Sequence, residues 1–534
     1  MAEARRVSRA RRRPRPGPPD ALSRAASPTG ADIPPKEFRR LGYQAVDLLA
    51  EYYASLPQRR IAPRATQEEI ERVFDEPLPR RGKDPREVVD RWSTQVVPYS
   101  AHLGSPRFFG YVHGSGLPIG ALADALASGQ APNVADRRAS PAESEIERRV
   151  VRWIAEMIGY PMTCGGTLTS GGMAANHAAL QVALRSRSPY DMTADGLQAR
   201  ERRGRFVLYM SADEGHITIR RAAELLNLGR NAVRGVACRD DLTLDPAALL
   251  RQVREDERRG DHPFCVVGQA GSINVGAIDP LAEIADVCRD HGLWFHVDGA
   301  AGAFGALLPE LRPYYDGMER ADSVTVDPHK WLYLPKECGG LLVRDARQLL
   351  RTFRAEASYL EPQNADDPDA TGFRALGMQS SRGFRALKVW MALQQLGTDG
   401  YTRLFRQNLE CVAHLDRKVR GDPDFEPLHE PRIYIYSFRY RPHRFRSVAA
   451  RSPADARVPA YLDALNRRIA DLANRTGEVF LTTTRVRGVL ALRVSVCNHR
   501  TRLEDIDRLF ALLGRLGRRA DAEAARTSTR RSRP

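Results

Sequence analysis

Residues 265–301 read CVVGQAGSINVGAIDPLAEIADVCRDHGLWFHVDGAA. Cys265–Gln269 is a short apolar run. Pro280–His291 carries apolar residues at helical spacing, and Gly292 stands where a helix commonly closes. Leu293–Val297 is a second apolar run, and it ends on Asp298. Strand, helix and strand at this spacing predict a mostly parallel sheet, apolar on both faces and covered by helices. Working outward, Arg205–Met210, Ser323–Val326 and Gly340–Val343 read as further strands. The expected class is α/β, with a mostly parallel central sheet.

The rest of the chain frames that sheet. Glu37–Leu56, Thr66–Phe74 and Pro85–Val97 predict an N-terminal helical segment over 36–105, with Phe38, Leu41, Val46, Leu49 and Tyr53 near one helical face. These helices precede the chemistry without a core of their own and are expected to lie against another subunit. The large domain spans 106–400. Leu360–Gln379, crowded with Pro, Asp, Gly and Asn, reads as a long loop of the kind that is often functional. Helices return at Phe384–Leu396 and Tyr401–Arg420. Arg432–Arg439, Glu478–Thr484 and Val489–Val496 are strands of a small α+β domain over 401–515, closed by a helix Leu503–Leu516.

Composition narrows the function classes. The 534 residues are 42% hydrophobic and 28% charged, ordinary for a soluble globular protein. No apolar run approaches the ~20 residues that span a bilayer, and the arginine-rich start has no signal-peptide core, so the expected location is cytoplasmic. Seven scattered cysteines without Cys-x-x-Cys or metal-ligand spacing predict buried free thiols and no metal. The net charge of +16 is concentrated at the ends: residues 1–35 carry +5 and residues 515–534 carry +5. The segments 1–35 and 516–534 read as disordered basic tails. With no zinc-finger spacing and no basic stripe interleaved with aromatics, no specific nucleic-acid partner is expected.

Four stretches carry chemistry. Only six lysines stand among 76 arginines, and one of them, Lys330, lies in Asp327-Pro-His-Lys-Trp331. A guanidinium stays protonated, whereas a desolvated lysine amine can attack an aldehyde and form an imine. Asp298, after the apolar run Leu293–Val297, would be costly to bury unpaired. A protonated pyridine nitrogen would satisfy it, and the small residues Gly299–Gly302 would let a flat ring pack nearby. Gly166–Asn176 (GTLTSGGMAAN) opens a helix through Arg187, where glycines let backbone N–H groups approach a phosphate. His216 follows a strand at the sheet edge where ligands collect. Lysine, aspartate and phosphate cradle together are what pyridoxal phosphate (PLP) requires.

In this order the four stretches resemble the group II PLP-dependent amino acid decarboxylases, best known through the aromatic-L-amino-acid decarboxylases. The resemblance covers about residues 36–515 and extends to Pro106–Tyr111, Ser140–Glu145 and Phe384–Trp390. It implies a fold type I, aspartate aminotransferase-like architecture and a homodimer. Lys330 would hold PLP and Asp298 would pair with its ring nitrogen. His216 and Ala300 would flank the ring. Gly171, Gly172 and Met173 would receive the phosphate, with Ser272 and the Asp327–His329 turn assisting. Tyr359 would return a proton after CO2 leaves. Met173 stands where the family has a hydroxyl residue. Tyr111-Val-His-Gly114 replaces a bulkier run, so the resemblance leaves the L-amino acid substrate open, an aromatic one included.

Three other outcomes fit parts of this pattern. One is a decarboxylating aldehyde synthase, which the tyrosine at 359 disfavours. Another is a PLP-dependent carbon–carbon lyase. The third is a non-catalytic basic binding protein on a PLP fold.

Overall fold

The computed structural model describes residues 31–199, 203–355, 371–445 and 457–531. Two compact units result, one of residues 1–58 with 63–100 and one of residues 59–62 with 101–534.

The described part of the first unit is helical: Pro35–Ser55, Gln67–Phe74 and Pro85–Arg91, continued by a π turn Trp92–Val96 and a 3-10 turn Val97–Tyr99. Thr66 and Glu69 form a reciprocal capping box at the second helix. The apolar face expected on the first helix is only partly covered. Leu41 is buried, while Phe38 and Val46 are exposed.

The second unit holds both sheets. The large one has strands β1 (Gly165–Thr169), β2 (Phe206–Ser211), β3 (Val233–Val236), β4 (His262–Gln269), β5 (Trp294–Asp298), β6 (Ser323–Val326) and β7 (Gly339–Val343). Their spatial order is β1-β7-β6-β5-β4-β2-β3, and β3 through β6 run parallel while β7 and β1 are antiparallel additions. Every residue of β2, β5 and β6 is buried, the signature of a sheet covered on both faces. The chain leaves β2 outward to β3 and returns on its other side to β4. Crevices at such switch points, beyond the carboxyl ends of the strands, bind ligands. Here those ends deliver His216 after β2, Asp298 from β5, and Asp327 and Lys330 after β6.

Two strands of this sheet were not legible in sequence. β1 is glycine-rich and its pattern merges with the turn that follows, and β3 is a four-residue edge. The two helices expected at Phe384–Leu396 and Tyr401–Arg420 are present within Ala386–Gly421, parted at Gly397, whose φ of 61° and ψ of 177° are not helical. A buried ion pair fastens β1 to the segment before that helix. Arg382 lies on Glu147, donates to Leu168 O at 2.8 Å and to Thr167 Oγ1 at 3.0 Å, and Leu168 N–H donates back to Glu147 at 2.9 Å.

The smaller sheet has β8 (Phe425–Pro427), β9 (Ile435–Tyr440), β10 (Thr482–Val486) and β11 (Val489–Ser495), antiparallel in the order β10-β11-β9-β8. Helices Arg457–Thr476 and Leu503–Arg531 belong to this part of the chain. The second corrects the expectation of disorder from residue 516: the helix runs on to Arg531. Its inner face docks, with Ala520 fully buried and Asp521 accepting from Tyr461 Oη at 2.5 Å and paired with Arg444. Tertiary contacts there outweigh a composition that reads as a solvated tail. No described helix is long and apolar enough to cross a membrane.

Candidate active site

The turn after β6 places Lys330 Nζ 3.0 Å from Asp327 Oδ2. Asp327 is 2% exposed, and its other oxygen, Oδ1, has no hydrogen-bond partner. An orphaned buried carboxylate oxygen is rare in a finished interior and marks a place where a ligand completes the set. Glycines crowd around it. A Cβ on Gly339 would lie 2.5 Å from Gly171 Cα and 2.7 Å from Asp327 Oδ1, and one on Gly172 would meet Ala300 Cβ at 3.3 Å. Close backbone approach therefore requires glycine at Gly339. Beside it the helix Gly172–Arg187 begins, presenting first-turn N–H groups that have no intrahelical acceptor. His329 donates from Nδ1 to Cys338 O at 2.6 Å, which sets its ring against Gly171.

Asp298 ends β5 on the same cavity, which Lys330, Asp327, His216, Ala300, Gly172 and Met173 also line. A directional chain of hydrogen bonds leads to it. Trp294 Nε1–H donates to Ser323 Oγ at 2.8 Å, and Ser323 lies 2.8 Å from His296 Nδ1. Burial pushes His296 down to about 4, so the ring is neutral. Its Nε2 is 3.1 Å from Asn176 Oδ1, an acceptor, so the proton sits on Nε2 and Ser323 donates to Nδ1. Asn176 Nδ2 then donates to Asp298 Oδ2 at 2.8 Å and to Thr218 Oγ1 at 2.9 Å. Asp298 Oδ1 accepts from Ala300 N–H at 3.2 Å. The chain therefore ends on the carboxylate, with Asn176 donating to one oxygen and Ala300 N–H to the other.

The same network assigns a tautomer to His216. Its Nδ1 accepts from Thr218 N–H at 3.4 Å and lies 2.8 Å from Thr218 Oγ1. Burial lowers its basicity, so the ring is neutral with its proton on Nε2.

Behind the cavity lies a pair of groups that sequence reading missed. Glu214, buried two residues before His216, accepts from Ser272 Oγ and sits 3.5 Å from Asn274 Nδ2. Ser272 also accepts from Ala277 N–H at 3.1 Å. The sequence assigns Ser272 to the phosphate; the structure spends its hydroxyl on Glu214, and Gly271 and Ile273 form the cavity wall instead. Arg493, from β11, is 9% exposed and donates only to neutral groups, Ile273 O at 3.0 Å and Thr482 Oγ1 at 3.2 Å. Burial lowers its pKa while the nearby Glu214 carboxyl opposes that, and no carboxylate lies within ion-pair distance among the described residues. A buried cation without a counter-ion beside a cavity awaits an anion. An arginine in a chain with 76 of them gave no signal in sequence. Tyr359 lies outside the described residues.

Burial raises Glu214 to about 7 and Asp279 to about 6. Both carboxyls hold protons in the folded chain that the unfolded chain releases nearer 4.5 and 3.8, so their contribution to stability is full at low pH and is lost as pH rises through 6 to 7. Glu214→Gln is expected to remove up to about 3 kcal/mol of that pH dependence. Thermal melting of both proteins at about pH 5 and about pH 8 checks it, the variant losing less between them.

The residues fit pyridoxal phosphate: an amine on Lys330 for its aldehyde, a negative Asp298 for its ring nitrogen, and a glycine-lined helix start for its phosphate. Among the described residues no group of three metal-binding side chains exists. Comparison with known proteins agrees. The pyridoxal-dependent decarboxylase conserved domain matches residues 67–441. A tyrosine decarboxylase of Oryza sativa subsp. japonica is 31% identical over 489 residues, 88% of this chain and 89% of that one. An aromatic-L-amino-acid decarboxylase of Bacillus atrophaeus is 29% identical over 471 residues, 88% and 93% of the two chains. The crystal structure of Oryza sativa TDC with PLP and tryptamine superposes with a TM-score of 0.84 at 25% identity, covering 93% of this chain and 99% of that one. Fold type I, the cofactor and the carboxy-lyase class follow, and the chain belongs to the family of pyridoxal-dependent decarboxylases.

Proposed function

We propose that this enzyme converts an L-amino acid to its amine and CO2, with the substrate α-carboxylate held by Arg493. The observation that carries the second half is the buried, unpaired guanidinium beside Ile273 on the cavity wall. Pyridoxal phosphate, when bound, supplies an aldehyde for amines and a ring that accepts the electron pair left by departing CO2. The chain's own groups do the rest. Lys330 Nζ would hold the cofactor through its aldehyde and is the amine available to trade places with substrate and product amines. Asp298, positioned by donors from Asn176 and Ala300 N–H, would pair with the ring nitrogen. His216 offers a neutral ring face and an Nε2 proton, with Ala300 opposite. Gly171, Gly172 and Met173 would hold the phosphate at the helix start.

Tyr359 returns the proton to the carbon that lost CO2, on the resemblance that assigns it. A relative 25% identical over 470 residues is the 4-hydroxyphenylacetaldehyde synthase of Rhodiola rosea, so the competing product is an aldehyde. Amine, CO2, aldehyde and peroxide measured together on a panel of L-amino acids test both readings. Stoichiometric amine and CO2 are expected from the wild type. Tyr359→Phe is expected to shift products toward aldehyde and ammonia, and an unchanged amine yield would assign the proton to another group.

The working enzyme is a homodimer in this reading. Its support is the apolar surface of the N-terminal helices, where Phe38, Tyr43, Val46 and Val88 are exposed. We place it in the cytoplasm, consistent with seven free cysteines, six of them buried.

A further inference from the structure

Three parts of the chain meet behind one wall of the cavity. The loop after β2 carries Glu214 and then His216. The loop after β4 supplies Gly271 and Ile273 to the wall. It is clipped to itself, with Ser272 N–H donating to Ala277 O at 2.8 Å and Gly276 N–H to Ser272 O at 3.0 Å. The small sheet is the third part, and three of its strands each bond this loop. Ser437 of β9 donates to Asn274 O at 3.2 Å, Thr484 of β10 to Asn274 Oδ1 at 2.8 Å, and Arg493 of β11 to Ile273 O at 3.0 Å.

Glu214 is 2% exposed and grips the same loop, accepting from Ser272 Oγ and lying 3.5 Å from Asn274 Nδ2. Its own N–H is fixed by Ser211 Oγ at 3.0 Å. Carboxyl and guanidinium thus hang on consecutive residues, Glu214 on Ser272 and Asn274, Arg493 on Ile273 between them. An amide at 214 would accept from Ser272 equally well and bring no charge to bury. What the acid adds is a negative charge beyond ion-pair distance of Arg493.

We propose that Glu214 is a positioning residue for substrate: it braces Ser272–Asn274 so that Arg493 is presented to the cavity, and its ionised form is the counter-charge that an incoming carboxylate displaces. The inference rests on the carboxylate role of Arg493 proposed above. Arg493 faces this carboxyl from β11, Asp213 from its own loop and Asp279 from the end of the β4 loop. Cys238 Sγ lies 3.0 Å from the Ser211 hydroxyl, and Tyr111 stands near Arg493. Burial holds Glu214 at about 7. Below that pH the carboxyl is neutral and Arg493 is open to a substrate carboxylate; above it the two negative groups compete for one guanidinium. Binding therefore takes up a proton at Glu214, so affinity is full at low pH and falls as pH rises through that value.

The test compares wild type, Glu214→Gln and Glu214→Ala as full-length holoenzymes. Propanoate, a carboxylate without an amine, is titrated against the absorption of the bound cofactor at about pH 6 and about pH 8. In wild type the half-saturating concentration should rise about fivefold between them, whereas Glu214→Gln should hold the low-pH value at both. Glu214→Ala loses the brace as well and should need about tenfold more propanoate than Glu214→Gln. With the best substrate of an L-amino acid panel, the changes should fall on KM; damage to the fold would instead lower cofactor content and kcat. The same pH dependence in wild type and Glu214→Gln overturns the proposal, whether or not Glu214→Ala folds. A Glu214→Ala protein that binds as well as Glu214→Gln overturns the bracing role. Arg493→Met tests the reading beneath. Unchanged propanoate binding in that variant overturns both, while lost binding with an unaltered Glu214→Gln profile overturns the Glu214 assignment alone. Absence of turnover on every amino acid would refute the decarboxylase reading, and the propanoate titration would still decide Glu214.

Discussion

Lys330→Ala should leave a folded protein with turnover reduced by at least about a thousandfold. The side chain ends 3.0 Å from Asp327 Oδ2, at the head of the cavity, and no other described lysine lines that cavity. Lys336 is exposed and outside the lining of that cavity, so it does not substitute. Removing Lys330 deletes the amine that holds the aldehyde, the group that displaces product, and a proton carrier at the reacting carbon. The fold should tolerate the change, because the turn is held by backbone bonds, Lys330 N–H to Asp327 O at 2.8 Å and Tyr333 N–H to Lys330 O at 2.9 Å. Absorption spectra before and after borohydride, with peptide mapping of the trapped lysine, check the attachment. Amine release checks the rate. Trapping at a residue other than Lys330, or full activity of the variant, would sink the assignment.

Asp298→Asn is the second large effect. The substitution keeps the size of the group and one acceptor for Asn176, and removes only the charge. Asp298 is 4% exposed, and the chain of donors from Trp294 through Ser323, His296 and Asn176 is oriented toward a negative oxygen. Without that charge the ring nitrogen loses its reason to stay protonated, and the site loses electrostatic stabilisation of the kind that costs about 10²–10³ in kcat when deleted. The variant should still bind cofactor through Lys330 and the helix start, so kcat should fall far more than cofactor occupancy. A loss confined to occupancy, with normal kcat once saturated, would show that Asp298 only holds the ring in place.

The residues that sequence reading brought to the site are reactive by type: a lysine amine, a carboxylate closing an apolar strand, glycines at a helix start, a histidine after a strand. Lys330, Asp298, Gly172, Met173, His216 and Ala300 do line one cavity. Ser272 was legible as a nearby hydroxyl, but its partner Glu214 was not. A buried acid looks like any other acid until the fold removes its water. Asn176 sat inside the glycine-rich motif with no sign that it would donate to both Asp298 and Thr218, 122 and 42 residues away. Arg493 was invisible for the same reason: what distinguishes it is the absence of a counter-ion, a property of surroundings.

By itself the sequence determined five of the seven strands of the core sheet, their two-sided burial and the identity of the reactive groups, because hydrophobic period and side-chain chemistry are local. It also placed the lysine, the aspartate and the glycine turn in the order that a PLP site needs. Only the tertiary structure decided the rest: β1 and β7 as antiparallel additions, the last helix docking through Ala520 and Asp521, and Arg493 buried against Ile273. Strand pairing and charge compensation depend on contacts across hundreds of residues, and the energy of a buried charge is set by what the fold brings within a few ångströms of it.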